Sequence, residues 1–291
     1  MSQTNNDVAV LREIAEGLAA EAASFVLRRR AEVFGESAVN ADSDAVRAKT
    51  TPTDPVTVVD TETEGLLRRR LAQLRPDDAV LGEEGGGRAF GAVSEGSGER
   101  VTWVLDPIDG TVNFVYAIPA YAVSVAAQID GVSVAGAVAD VASGRIYTAA
   151  RGLGADVVDE RGRQQLRCTA ATELAMALVG TGFGYNARRR ARQAHVLAQL
   201  LPRIRDVRRI GSAALDLCMV AAGRLDGYYE YGLQPWDSAA GSLIAAEAGA
   251  LVVMPPPETP DVGLVIAAAP GIADELLRAL RECGGFDLIE D

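Results

Sequence analysis

The chain has 291 residues, 48% hydrophobic and 23% charged, which at about 150 residues per domain suggests two domains or one large one, and excludes a disordered or membrane-embedded chain. Its 40 acidic residues against 28 basic ones give a formal charge of −12, a field that argues against a nucleic-acid partner. An anionic substrate would need local positive charge, and bound metal ions are the economical source.

Val8, Leu11, Ile14, Ala15, Leu18, Ala22, Phe25 and Val26 recur at helical spacing, so the chain is expected to open with an amphipathic helix ending near Gly35. A polar loop to Pro55 follows, then a short strand over Val56 to Val59. Thr61 with Glu64 reads as the capping box of a helix running to about Leu74. Gly82 to Gly98 is Gly-rich and polar, and a mobile stretch is expected there, with Glu83 and Glu84 at its start. From Val101 to Ala150 the texture is β. Strands are expected at Val101 to Leu105, Ala120 to Gln128, Val132 to Ala139 and Arg145 to Ala149, between turn signals such as Asp130-Gly131 and Ser143-Gly144. Beyond Gly154 strands and helices alternate, with helices at Ala187 to Leu201, Ser212 to Ala222, Ser238 to Ala248 and Ile272 to Cys283, and a turn at Pro255 to Asp261. With no internal repeat or long linker, two intimately packed halves are expected, residues 1–150 and 151–291.

What the chain lacks narrows its chemistry. Lys49 is the only lysine and His195 the only histidine, the latter in an Arg-rich stretch without a neighbouring carboxylate. A Ser-His-Asp triad, a His-rich zinc site and a His phosphotransfer relay are thereby set aside. Cys168, Cys218 and Cys283 are odd in number and far apart, which argues for a reducing compartment. Met1 to Phe34 carries Arg12, Glu13, Glu16 and Glu21 where a signal peptide would be apolar, and no run is long and apolar enough to span a membrane. A cytoplasmic protein is expected.

The strongest local signal is Leu105-Asp106-Pro107-Ile108-Asp109-Gly110-Thr111, where an apolar strand ends in two aspartates three apart, with Pro107 fixing one φ and Gly110 permitting a tight turn. Like charges held so close are costly unless a cation lies between them, and oxygen-only ligands select a hard ion such as Mg²⁺; the other reading is an Asp-rich turn. A second cluster, Trp236-Asp237, precedes a small-residue helix closed by Gly249, so Asp237 is expected as its N-cap. The small helix faces suggest close packing that could aim this carboxylate at a shared site.

Together these segments resemble the inositol monophosphatase family. Leu105 through Phe114 reproduces its first signature and Trp236-Asp237 through Glu247-Ala248-Gly249 its second. Lys49 to Asp60, Gly82-Glu83-Glu84, Gly211-Ser212-Ala213-Ala214 and Tyr228-Tyr229-Glu230 supply supporting blocks in order across almost the whole chain. Within the family the sequence looks most like the bacterial SuhB-type branch. Gly85-Gly86-Gly87 stands where Ser is common after Glu84, and Val112 where Thr is common; neither removes a metal ligand, and the glycines suggest that Glu83 is ordered only with metal.

The resemblance implies a layered αβαβα sandwich of the sugar-phosphatase type, of α+β or α/β class. The first half would carry Asp60, Glu83 and the Asp106–Thr111 motif, and the second Glu230 and Asp237. It implies hydrolysis of myo-inositol 1-phosphate by a metal-activated water, with two or three Mg²⁺ held by Glu83, Asp106, the carbonyl of Ile108, Asp109 and Asp237. Asp60 and Thr111 would activate the attacking water, assisted by Glu83, and the amides of Gly110 and Thr111 would cradle phosphate oxygens. Asp109, Asp237, Glu230 and the loop Gly211, Ser212, Ala213 would contact substrate, with Glu230 accepting from ring hydroxyls. Thr61 and Glu64 already suffice as a cap, so Asp60 is not needed as one. Lys49 is read as a solvated side chain or a neighbour of the metal site. A homodimer and lithium sensitivity are family expectations.

Three other readings stand beside this one. A haloacid-dehalogenase phosphatase separates its two aspartates by one residue, whereas two separate Asp106 from Asp109, and it leaves Trp236-Asp237 unexplained. Fructose-1,6-bisphosphate, 3′-phosphoadenosine 5′-phosphate or histidinol phosphate could be the substrate of the same fold. A non-catalytic partner of the transcription machinery is the reading of another class, with Arg188, Arg189, Arg190 and Arg192 as a solvated helix face or an anion-steering patch.

Overall fold

The computed structural model describes residues 6–35, 45–49, 54–87, 100–256 and 263–287. Most of the polar loop before Pro55, the stretch from 88 to 98 and most of the turn at 255–261 lie outside them. The first half runs α1 (Val8–Phe34), β1 (Val46–Ala48), β2 (Pro55–Thr57), α2 (Val58–Leu74), β3 (Ala79–Gly82), β4 (Gly86–Gly87), β5 (Val101–Asp109), α3 (Thr111–Val115), β6 (Ala122–Ile129), β7 (Val132–Asp140), β8 (Arg145–Ala150), β9 (Gly154–Asp159) and β10 (Gly162–Gln165). There follow β11 (Leu178–Thr181), α4 (Ala187–Leu200), β12 (Asp206–Arg208), α5 (Ala213–Ala221), β13 (Gly227–Tyr231), α6 (Pro235–Glu247), β14 (Leu251–Val253), β15 (Leu264–Ala268) and α7 (Pro270–Glu282).

These elements stack in five layers. An eight-stranded sheet in the order β10-β9-β8-β7-β6-β5-β3-β4 is antiparallel except where β3 joins β5. On one face α1 buries Leu11, Ala15, Leu18, Ala22 and Val26, three or four residues apart, against the sheet together with α2. The other face is covered by α5 and α6, whose opposite side packs on a five-stranded sheet in the order β12-β11-β13-β15-β14. The small residues of α6 permit this close packing: a Cβ at Gly136 of β7 would lie 3.1 Å from Ala240, and one at Gly241 would lie 2.8 Å from Leu217 Cβ on α5. Beyond the second sheet, α4 and α7 close the stack. The fold is the expected αβαβα sandwich, of α+β class.

The first sheet continues through β9 and β10, so we propose that the two halves divide after Gln165 and not at residue 150. Two helix starts differ from expectation. The chain turns into α2 at Val58, because Thr57 is still extended and accepts from Val59 N, while Asp60 closes the box by accepting from Thr57 N. Thr61 and Glu64 therefore lie inside the helix, and Asp60 is a capping residue after all. Likewise α6 begins at Pro235, whose fixed φ suits the first helical position and whose missing N–H would go unpaired there. Gln234 is the N-cap, and Asp237 is the third helical residue of the box.

Candidate metal and phosphate site

β5 delivers two carboxylates to one face by means of a bulge. Asp106 pairs with Ser124 and Asp109 with Ala122, so the segment from Asp106 to Asp109 has one residue more than its partner on β6. Pro107 has no N–H to give the ladder, which is where such an irregularity is tolerated. With the extra residue absorbed, aspartates three apart can share a face as residues two apart do on a regular strand.

Each carboxylate is fixed by its own bonds. Asp106 Oδ1 accepts from Ile108 N at 3.0 Å. Asp109 Oδ2 accepts from Ser212 Oγ at 2.6 Å and from Ala214 N at 2.7 Å, which ties β5 to the start of α5. Asp237 Oδ2 accepts from Gln234 N at 2.7 Å. One oxygen from each of Asp106, Asp109 and Asp237 lies within 4.8 Å of the other two. Gly110, at φ +95°, lets the chain turn here, and a Cβ on it would stand 3.0 Å from the carbonyls of Ala120 and Gly211.

Asp60 and Thr111 meet beside this cluster. Thr111 Oγ1 lies 3.2 Å from Asp60 Oδ1 and 3.0 Å from the Ile108 carbonyl oxygen. The other Asp60 oxygen accepts from Thr57 N at 2.9 Å and Thr57 Oγ1 at 2.5 Å. Glu83 does not fall in the three-carboxylate group; its Oε1 accepts from Lys49 Nζ at 2.6 Å, and Lys49 also reaches Glu84. The lysine is thus ion-paired, with its side chain 18% exposed, and is not the solvated residue considered from sequence.

The electrostatics follow from crowding acids away from water. Desolvation, then repulsion from Glu83, Asp109 and Asp237, raises Asp106 well above the usual carboxyl range. Desolvation and then Asp109 raise Asp237 likewise. Asp109 is raised to about 6 by burial, against the bonds from Ser212 and Ala214, and burial raises Asp60 to about 7. Glu83 is raised by burial in spite of Lys49. Acids that oppose one another's ionisation in this way fit a cation among them, and donors that are all oxygen fit a hard divalent one.

Glu83, Asp109 and Asp237 border a cavity of about 670 Å³ whose walls also include Lys49, the Gly211–Ala213 loop and Glu230. Tyr228 Oη donates to Glu230 Oε2 at 2.6 Å, and burial raises Glu230 to about 7. Gly182 is required beside it, since a Cβ there would stand 1.9 Å from Glu230 Oε2. Arg189, stacked over the Tyr231 ring, and Arg209 also line the cavity. Sequence reasoning assigned no role of their own to Tyr228, Gly182 or Arg209. Gly182 and Arg209 reach the cavity from distant parts of the chain, whereas Tyr228 lies two residues from Glu230 on β13, and the two-residue period of a strand could have paired them. Of the arginine cluster, Arg188 is exposed, Arg189 faces the cavity and Arg192 pairs with Asp287.

An oxygen-only carboxylate cluster set where a bulged strand meets two helix starts, inside an αβαβα sandwich, is the arrangement expected of a metal-dependent phosphatase of the sugar-phosphatase type. Residues 7–284 match the model of the inositol monophosphatase family, and the chain belongs to that family. It is 65% identical over 292 residues to the inositol-1-monophosphatase SuhB of Mycobacterium tuberculosis, covering 100% of both chains. The solved structure of Mycobacterium tuberculosis SuhB superposes with a TM-score of 0.80 at 60% identity, over 96% of this chain and 99% of that one. The Nus factor SuhB of Escherichia coli is 40% identical over 200 residues, 68% of this chain and 71% of that protein. Among the described residues no helix is long and apolar enough to cross a membrane.

Proposed function

We propose that the chain hydrolyses myo-inositol 1-phosphate to inositol and phosphate, with Mg²⁺ held by Glu83, Asp106, Asp109, Asp237 and the Ile108 carbonyl. The observation that carries this reading is the meeting of Asp106, Asp109 and Asp237 within 4.8 Å, from segments more than a hundred residues apart in sequence, with Asp109 and Asp237 in the wall of a cavity that also includes Glu230. When bound, Mg²⁺ supplies charge neutralisation for the phosphate and a nucleophile at neutral pH. Thr111 orients the attacking water, and Asp60, with a pKa near neutral, takes its proton through the Thr111 hydroxyl. The amides of Gly110 and Thr111 hold phosphate oxygens, while Gly211, Ser212, Ala213 and Glu230 receive the alcohol. We place the enzyme in the cytoplasm on its cysteine pattern, and as a lithium-sensitive homodimer on the family resemblance.

Substrate choice is tested by phosphate release from inositol 1-phosphate, fructose-1,6-bisphosphate, 3′-phosphoadenosine 5′-phosphate and histidinol phosphate, run on wild type and on Glu230→Gln. The expected wild-type order puts inositol phosphate first in kcat/KM. The variant, having lost a charged acceptor for ring hydroxyls, is expected to lose about tenfold in discrimination and less in kcat. Equal preference in both proteins would remove Glu230 from the alcohol pocket. A purely non-catalytic role as a transcription partner has less support, because Asp106, Asp109 and Asp237 converge beside Asp60 and Thr111.

A further inference from the structure

One buried carboxylate close to the site has no place in the chemistry above. Glu64 lies on α2 one turn beyond Asp60, is 2% exposed, and does not border the cavity. Its two oxygens accept from the backbone of the turn that carries Glu83: Oε2 from Glu84 N at 2.7 Å and Oε1 from Gly85 N at 2.8 Å. Arg68, one turn further along α2, donates from Nε to Glu64 Oε1 at 2.7 Å and from its outer nitrogen to the Gly86 carbonyl. The turn closes directly on this carboxylate. A Cβ at Gly82 would lie 2.5 Å from Glu64 Cδ, and one at Gly85 would lie 2.6 Å from Glu64 Oε1. This explains the glycines on either side of Glu83-Glu84: they permit contact with Glu64 and leave Gly86-Gly87 to pair with β3.

We infer that Glu64, backed by Arg68, is a positioning residue that sets the metal affinity of the site by fixing the turn from which Glu83 projects. The inference rests on the reading of Glu83 as a metal ligand. A single helix then controls two functions, with Asp60 touching Thr111 and Glu64 holding the turn opposite. Glutamine at position 64 keeps the size but offers one acceptor and one NH₂ group to two backbone donors. One N–H then faces another, and the turn must move away. Groups that orient a metal ligand from behind typically change metal affinity by 10–100-fold when removed.

The test is Mg²⁺ binding by calorimetry on the full chain, together with kcat as a function of Mg²⁺ concentration, for wild type, Glu64→Gln and Arg68→Gln. For Glu64→Gln the expected result is an affinity about tenfold or more weaker, an activation midpoint raised by the same factor, and kcat at saturating Mg²⁺ within about threefold of wild type. Arg68→Gln, a partly exposed position, leaves both amide bonds in place and should shift both quantities about threefold in the same direction. A folded Glu64→Gln protein with wild-type Mg²⁺ affinity overturns the inference, as does one whose kcat falls equally at every Mg²⁺ concentration. If Glu64→Gln does not fold, an unchanged affinity in Arg68→Gln overturns it. Wild-type protein that binds no Mg²⁺ overturns the metal reading itself, a result distinct from either.

Discussion

Replacing Asp237 with asparagine is expected to lower kcat at saturating Mg²⁺ by about 100-fold or more while leaving the fold intact. The side chain accepts from Gln234 N within the capping box of α6, and an amide oxygen can do the same, so the helix should lose only about 1 kcal/mol or less. What disappears is a full negative charge from a cluster whose members lie within 4.8 Å. An amide is a much poorer Mg²⁺ ligand than a carboxylate, and the reacting oxygens lose the ion that it holds. Circular dichroism and thermal melting run beside the kinetics separate the two roles. Near wild-type turnover in a well-folded variant would make Asp237 a capping residue only.

Asp60→Asn should cost a comparable factor, about 100-fold or more in kcat, with little change in the Mg²⁺ midpoint. Asparagine can still accept from Thr57 N, so α2 keeps its start, but it cannot take a proton from the water that Thr111 orients. The pH profile gives the sign. Asp60 is raised to about 7 by burial, so its carboxylate, the form that accepts protons, grows in as pH rises. The acid limb of log kcat in the wild type should therefore climb with pH, and the part due to Asp60 should vanish in the variant. A variant retaining both the rate and that limb would move the proton acceptor elsewhere.

The legible part of this protein was local. The Asp106-Pro107-Ile108-Asp109-Gly110 segment holds its carboxylates, its ladder-breaking proline and its turn glycine within a few residues, so both the chemistry and the bend could be read together. Helical periodicity likewise placed α1, α4, α5 and α7 to within two or three residues at each end. Capping was misread where two equivalent patterns compete: Thr61 with Glu64 matches a capping box as well as Thr57 with Asp60 does. Only burial decided it, because Glu64 is drawn to the amides of Glu84 and Gly85 twenty residues away. Long-range pairings such as Ser212 with Asp109 and Lys49 with Glu83 leave no periodic trace, although the chain's single lysine was a hint. Strand order was equally hidden, and β9 and β10 joined the first sheet against the expected boundary.

Phosphate release from myo-inositol 1-phosphate, followed in excess EDTA and again after Mg²⁺ is restored, tests the central claim most directly. A carboxylate cluster that works only with a hard cation between its members should give no turnover in the chelator and full recovery on adding Mg²⁺. Undiminished hydrolysis in excess EDTA would contradict it.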